Sequence, residues 1–575
     1  ILKLVYEEFS SPLRSQPGPK STHFFYGNMK DIWNKEPAVL HQQWTAKYGP
    51  TLRYQGMAIS SAQLNRLYTA DTKAVHHFLS SYNYRKPEMA RYTLSRIVGD
   101  GVLVTEGDIH KQQVDINNPA FGAPQIRELN EIFVDKSIQL RDAWAAQTGH
   151  SGSARVDALT WLSKTTLDII GLAGFNYNFD SLGTEEQTEL GAAFTTMFKA
   201  GFMMSPIRIL QTLIPAFRFI RTDLDRVMGQ SQAVMRRIGL QLLEESKGEM
   251  AQDGTFDRGH KRDLLSLLVR ANTSKDLPAH QRLSDDGVLA QVPTFLVAGH
   301  ETTAMSWALF ALTQNVAAQT RLRNELLTIR TENPTMDELN ALPYLDCVIR
   351  ETLRIHAPVP STLRVAAQDD LVPLAHPFTD IYGTVHETLQ VTKGQTIMIP
   401  ILGMNCDPAI WGPDSMKFVP ERWESQSDIS TPLPGVWGSG HMMSFLGGPR
   451  SCIGYRFSLV EMKALLFTLV RAFEFELAIP ASDIGTQSAA IVQRPIIRSD
   501  PAAGNQMPLS IKLYNRPCTS SPRLAPVVMA CYHCRRPAPK WRSTSACGGP
   551  ASCSPHIHAN LFRPHVRLRF EFPWL

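Results

Sequence analysis

From about Arg127 onward, apolar residues recur at spacings of three and four, as in DALTWLSKTTLDIIGLAGF (Asp157 to Phe175), the pattern of amphipathic helices. The longest such stretch is SDDGVLAQVPTFLVAGHETTAMSWALFALTQN, Ser284 to Asn315. Ser284 with Asp285 and Asp286 makes a suitable cap, and at about 1.5 Å per residue the helix would be roughly 45 Å long. Its middle, VAGHETT, is unusual: Gly299 costs about 1 kcal/mol of helix stability and sits beside a polar cluster in an otherwise apolar element. A further helix carries LPYLDCVIRETLRI, Leu342 to Ile355, and is stopped by the prolines of HAPVP. Another follows Cys452 in SLVEMKALLFTLVRAFEF, which puts that cysteine at a helix entrance. Earlier, residues 51 to 80 mix short β-like runs with turns, and PLRSQPGPK (Pro12 to Lys20) reads as a proline-punctuated linker.

The pattern ends near Asn515. Beyond it lie nine prolines and five cysteines with no sustained period, so no packed domain is expected there. Cys531, Cys534, Cys547 and Cys553 with the nearby histidines could be drawn as a zinc site, but a disordered extension or a translated non-coding segment fits this composition better. Charge divides at the same point. The formal net charge is +5, yet residues 516–575 hold eight arginines, Lys540 and one acid, Glu571, leaving 49 basic against 52 acidic groups elsewhere. Basicity therefore belongs to the tail and does not mark the body as a nucleic-acid binder. The body has three widely spaced cysteines, Cys347, Cys406 and Cys452, which argues for reducing surroundings and against a disulfide framework. No apolar run reaches the roughly 18 residues of a membrane span. Because the chain starts at Ile1, an N-terminal anchor before the linker is expected to be missing.

The stretch FLGGPRSCIG, Phe445 to Gly454, surrounds one cysteine with three glycines, a proline and an arginine. A thiol that only filled a core would sit among aliphatic residues. At a helix start its thiolate would be favoured by the helix dipole and by free N–H groups. Gly447 and Gly448 would let backbone amides turn toward the sulfur, Gly454 would keep the first turn slim under a flat ligand, Phe445 would shield a flank and Arg450 would meet an anionic group at the ligand edge. A bare reactive thiol needs no such planar clearance, whereas a haem does.

This stretch resembles the haem-binding signature F-x-x-G-x-R-x-C-x-G of the cytochrome P-450 superfamily, with every constrained position present. The resemblance makes Cys452 the axial thiolate ligand of haem iron, a ligand that favours O–O cleavage. Ala298 to Thr303, AGHETT, is similar to the family's oxygen-activation motif: Gly299 would leave room over the iron, Thr302 would hydrogen-bond the distal oxygen or a water, and Glu301 would relay protons. Glu351 and Arg354 match its E-x-x-R and can pair on one helix face; Arg422, in PERW, would complete a buried charge network whose loss should cost haem. Arg364 matches an arginine that reaches a haem propionate. His110, in GDIHKQQVDINNPAF, matches a propionate-binding position, but Val114 stands where an arginine is expected, with Lys111 as the nearby cation.

The resemblance implies a mainly α fold with a small β-rich portion in one large domain, residues 21–515, between the lead-in at 1–20 and the tail at 516–575. It implies a haem b monooxygenase of the eukaryotic microsomal type on the cytosolic face of the endoplasmic reticulum membrane. One oxygen atom would enter a small apolar substrate, with electrons from NADPH through a separate reductase; a cytochrome b-type donor is the other electron source it allows. GFMMSPIRILQTLIPAFRF, Gly201 to Phe219, would line an entrance and dip into the membrane surface, or form a plain core helix pair. A peroxide-using or isomerising haem-thiolate enzyme, and a degenerate non-catalytic haem binder, are the alternatives.

Overall fold

The computed structural model describes residues 10–57, 64–184, 188–202, 205–252, 263–273, 282–299, 303–424, 442–489 and 492–515. These residues belong to one compact unit, and the tail lies outside them. The unit is mainly helical with small sheets, as the sequence resemblance implied.

Helices form where the apolar period predicts them. Asp157 caps Ala158–Phe175 by accepting from the Leu159 amide at 3.2 Å, and Pro343 opens Pro343–Ile355, where a missing N–H costs nothing. The helix after the cysteine runs Tyr455–Ala472, and its last expected residues turn into the strand Phe473–Leu477. Two expectations are corrected. Residues Thr72–Ser80 are a helix capped by Asp71, not a β-like run. Pro12–Lys20 is not a free linker: Leu13 is fully buried, the Arg53 amide donates to the Pro17 carbonyl at 2.9 Å, and a Cβ on Gly18 would sit 1.9 Å from the Arg53 carbonyl oxygen.

The central helix is also divided. Ser284 does cap it, but the helix runs Asp285–Leu289, breaks at Ala290, and resumes as Gln291–Gly299; beyond residues 300–302 it continues as Thr303–Gln314. Pro293 explains the break, since it has no amide hydrogen for the Leu289 carbonyl and its ring crowds that turn. Glu301 and Thr302 lie outside the described residues.

The largest sheet combines distant parts of the chain. Its strands are β1 (Thr51–Gln55), β2 (Asn65–Thr69), β3 (Tyr84–Arg85), β4 (Thr362–Ala366) and β5 (Thr396–Ile399), in the spatial order β1-β2-β5-β4-β3. Only β2 and β5 pair in parallel. Short β3 pairs antiparallel with β4, Tyr84 opposite Ala366 and Arg85 opposite Val365.

Gly299 has a packing reason that the sequence alone hid. A Cβ there would fall 2.5 Å from Cγ1 and 2.9 Å from Cβ of Ile170, in the helix Ala158–Phe175. Clearance at Gly299 thus serves helix-to-helix contact. Replacing Gly299 with Ala should destabilise the fold by about 1–3 kcal/mol through overpacking, seen as a lowered thermal midpoint, and Ile170→Ala in the same chain, which removes Cγ1 and Cδ1, should make the added methyl less costly than it is opposite isoleucine.

Candidate active site

The segment 442–454 is a loop folded back on itself. The Cys452 amide donates to the Phe445 carbonyl at 2.8 Å, and the Leu446 amide to the Met443 carbonyl at 2.8 Å. Gly448 has φ +70°, and a Cβ on it would lie 2.1 Å from the Leu79 carbonyl oxygen, so this glycine permits the helix Thr72–Ser80 to approach. Its role is not to turn an amide toward the sulfur; that amide belongs to Gly454. Around Gly454 the protein itself demands no glycine: a Cβ there would meet only Phe121 Cε1, at 3.8 Å. Phe121 in turn packs edge-on against Phe295 of the central helix, ring centroids 5.4 Å apart. The cysteine turn and that helix are thereby linked through one aromatic pair.

Cys452 is exposed by surface area, yet burial pushes its thiol up to about 11, with the Gly454 amide only partly opposing. Surface area leaves the residue accessible, while the protein packed around the sulfur still desolvates it. The expected thiolate preference from the helix start is therefore outweighed by desolvation.

Beneath the loop lies the charge network. Glu351 and Arg354 are both fully buried. Arg354 donates to both Glu351 oxygens, at 2.9 and 2.8 Å, and to the carbonyls of Asn405, Ser415 and Lys417 at 2.8, 2.5 and 3.1 Å. Glu351 also accepts from the Val419 amide and the Trp423 indole, each at 3.0 Å, and from Arg422 Nε at 3.5 Å. Arg422 reaches the Trp411 carbonyl at 3.0 Å and Asp414 at 3.0 Å. A buried ion pair of this kind is tolerable only because its donors and acceptors are filled. Sequence reading missed the residue that connects it to the cysteine. Asn405, fully buried, accepts from the Met443 amide at 2.9 Å and donates to Ser444 Oγ at 2.8 Å, and Ser444 donates to the Leu353 carbonyl at 2.6 Å. A lone asparagine six residues after a strand offers no signal in the sequence.

A second group of charges is not filled. Arg450 pairs with Glu106 and donates to the Thr105 carbonyl at 2.9 Å. Arg364 is buried on β4; Nη1 donates to Thr362 Oγ1 and the Leu363 carbonyl, while Nη2 is buried and has no partner among the described residues. His110 is buried with Nδ1 likewise unpartnered. Burial and neighbouring cations push His110 down to about 3 and Arg364 down to about 10. Lys111, the substitute suggested by the sequence, is exposed on a different face of the helix Gly107–Asn117 and does not join this group.

The sequence pattern that defines the cytochrome P-450 family matches residues 17–495. The chain belongs to the cytochrome P-450 family. Among its relatives, cytochrome P-450 monooxygenases 205 and 128 of Postia placenta are 52% and 50% identical, covering 89% and 90% of this chain and 95% of their own lengths. Cytochrome P-450 monooxygenase claQ of Ampulloclitocybe clavipes is 32% identical over 88% of this chain and 93% of its own length. This P-450 is accordingly a haem-thiolate monooxygenase whose cofactor is haem b, with Cys452 as the iron's thiolate ligand.

The residues present fit that cofactor. Gly454 leaves a slim surface beside the sulfur, and the group formed by Arg450, Arg364 and His110 has more positive charge and more unpartnered donors than the protein satisfies. An edge carrying carboxylates is what such a group lacks.

Two outcomes follow from these contacts. Arg354→Met leaves Glu351 charged and buried without its main partner, and should cost about 3–5 kcal/mol together with a fall in haem bound per protein, measured by thermal unfolding and haem absorbance. Acid sensitivity is the second. Burial pushes both His110 and His356 down to about 3 from an ordinary 6.5, so the unfolded chain takes up protons that the fold refuses between those values. Stability should be fully present above about 6.5 and fall as pH drops toward 3, and His356→Phe should shallow that fall in denaturant titrations.

Proposed function

We propose that this P-450 inserts one atom of dioxygen into a small apolar organic substrate, with electrons drawn from NADPH through a separate reductase. The observation that supports this reading is the turn 442–454, which leaves Cys452 exposed beside a slim Gly454, with Phe121, edge-on to Phe295 of the central helix, as the nearest neighbour of that glycine. Haem, when bound, supplies the reductive activation of oxygen. The protein's part is to bind, orient and deliver protons. Phe445, Gly447 and Gly454 shape the cysteine face, while Arg450, Arg364 and His110 hold the carboxylate edge. Glu301 would carry protons inward at its carboxylate, and Thr302 would offer its hydroxyl to dioxygen or to a water.

No helix among the described residues is long and apolar enough to cross a membrane. Exposed Ile207 and Phe219 support the placement of this face at a membrane surface, and the endoplasmic reticulum is the compartment proposed.

The test uses purified holoprotein with reductase and a panel of apolar compounds chosen by their shift of the haem absorption band. Substrate-dependent NADPH use with oxygenated product is expected, Cys452→Ala should abolish it, and Glu301→Gln should slow it by roughly 10²-fold or more. Turnover supported by peroxide but never by NADPH and reductase would overturn this reading in favour of a peroxide-using enzyme.

A further inference from the structure

We propose that Lys86 is a cofactor-binding residue of this chain, its ammonium holding a haem carboxylate in the role that the valine at 114 cannot serve. Strand register is the first reason. Antiparallel pairing sets Tyr84 against Ala366 and Arg85 against Val365; Lys86 follows directly after the strand, on the side of Arg364, whose charge acts on it. Two such cations repel one another, and here they do so away from water, with Arg450 adding a third positive charge.

The protein supplies little to offset this. Among the described residues Glu106 is the carboxylate that acts on the group: its Oε2 is taken by Arg450, and its Oε1 accepts from the backbone amide of Lys86 at 3.0 Å. The Lys86 ammonium itself donates to the Leu103 carbonyl at 2.5 Å, one of the three bonds it can make. Burial, then Arg450 and Arg364, push Lys86 down to about 7, and Glu106 opposes this only in part. Arg364 Nη2 and His110 Nδ1 remain without partners among the described residues. Three cations and a histidine around one engaged carboxylate form a receptor for an anionic edge.

Position 114 explains why a lysine is needed. Val114 lies four residues after His110 on the same helix, so both are on one face. A side chain of arginine length there would reach toward the same group, and valine does not. Lys86 enters instead from the end of β3, 28 residues earlier in the chain.

A structural role for Lys86, tying β3 to the Leu103 carbonyl, is the competing account, and haem loss distinguishes the two without substrate or reductase. The holoprotein is loaded either with haem b or with haem dimethyl ester, whose propionates carry no charge, and transfer to an excess of a haem-acceptor protein is followed by absorbance. Lys86→Met should release haem b roughly 10- to 100-fold faster than the unaltered chain, while ester release should be the same from both. Lys86→Arg should behave like the unaltered chain, and adding Val114→Arg to Lys86→Met should slow haem b release again. Unchanged haem b release from Lys86→Met, or equal acceleration for haem b and its ester, would overturn the proposal. Should the Met variant fail to fold, Lys86→Gln against Lys86→Arg gives the same comparison: acid-selective loss in Gln alone supports the role, and loss without acid selectivity removes it.

Discussion

A carboxylate enclosed away from water must be given donors or it will unfold what encloses it, and Glu351 is the carboxylate around which the cysteine side of this molecule is built. Leaving such an ion unpaired costs several kcal/mol. Its donors come from Arg354 one turn away and from Val419, Arg422 and Trp423, 68 to 72 residues later. Recruiting them fixes the segment that ends at Trp423 against the helix Pro343–Ile355. Arg354 then has surplus donors of its own, and the Asn405 carbonyl takes one. From Asn405 the order passes through Met443 and Ser444 into the turn that ends at Cys452. A helix-borne ion thus fixes where the sulfur sits without touching it.

The opposite side of the cysteine turn follows the reverse logic. There the cations outnumber the carboxylates, and donors at Arg364 and His110 stay unpartnered among the described residues. The contrast separates scaffolding from binding: a network that closes on itself can only hold the fold, whereas one with donors left over can hold something else. Each arrangement is costly without its missing or supplied partner, which is why the two sit on different elements. The filled network spans helix and loop, and the unfilled one spans two paired strands, a helix and the cysteine loop.

Legibility in the sequence tracked the distance over which a contact is made. FLGGPRSCIG, ETLR and PERW could be read because the spacing of each motif is itself the geometry: three residues on a helix face, or ten in one turn. The helices were legible for the same reason, through a local apolar period. What escaped depended on partners remote in the chain. Lys86 acquires its meaning only from the pairing of β3 with β4, and Asn405 only from the fold of 442–454. Gly299 has its packing partner in Ile170, 129 residues earlier. Pro293 was visible throughout, and its effect on the Leu289 turn needed only the known clash of a proline ring with the carbonyl four residues before it.

The raised thiol of Cys452 gives the fold's chemical bias. Reactive cysteines are found where cations and helix amides lower the thiol toward neutrality, and here the helix proper begins at Tyr455, leaving the Gly454 amide to oppose burial alone. Arg450, two residues away, is engaged by Glu106 and does not offset the desolvation of the sulfur. Burial thus moves the thiol in the direction opposite to that of an activated nucleophile. A metal cation changes the balance, because coordination removes the proton outright. Coordination, and not a neighbouring side-chain cation or helix amide, is therefore what would make the Cys452 sulfur anionic.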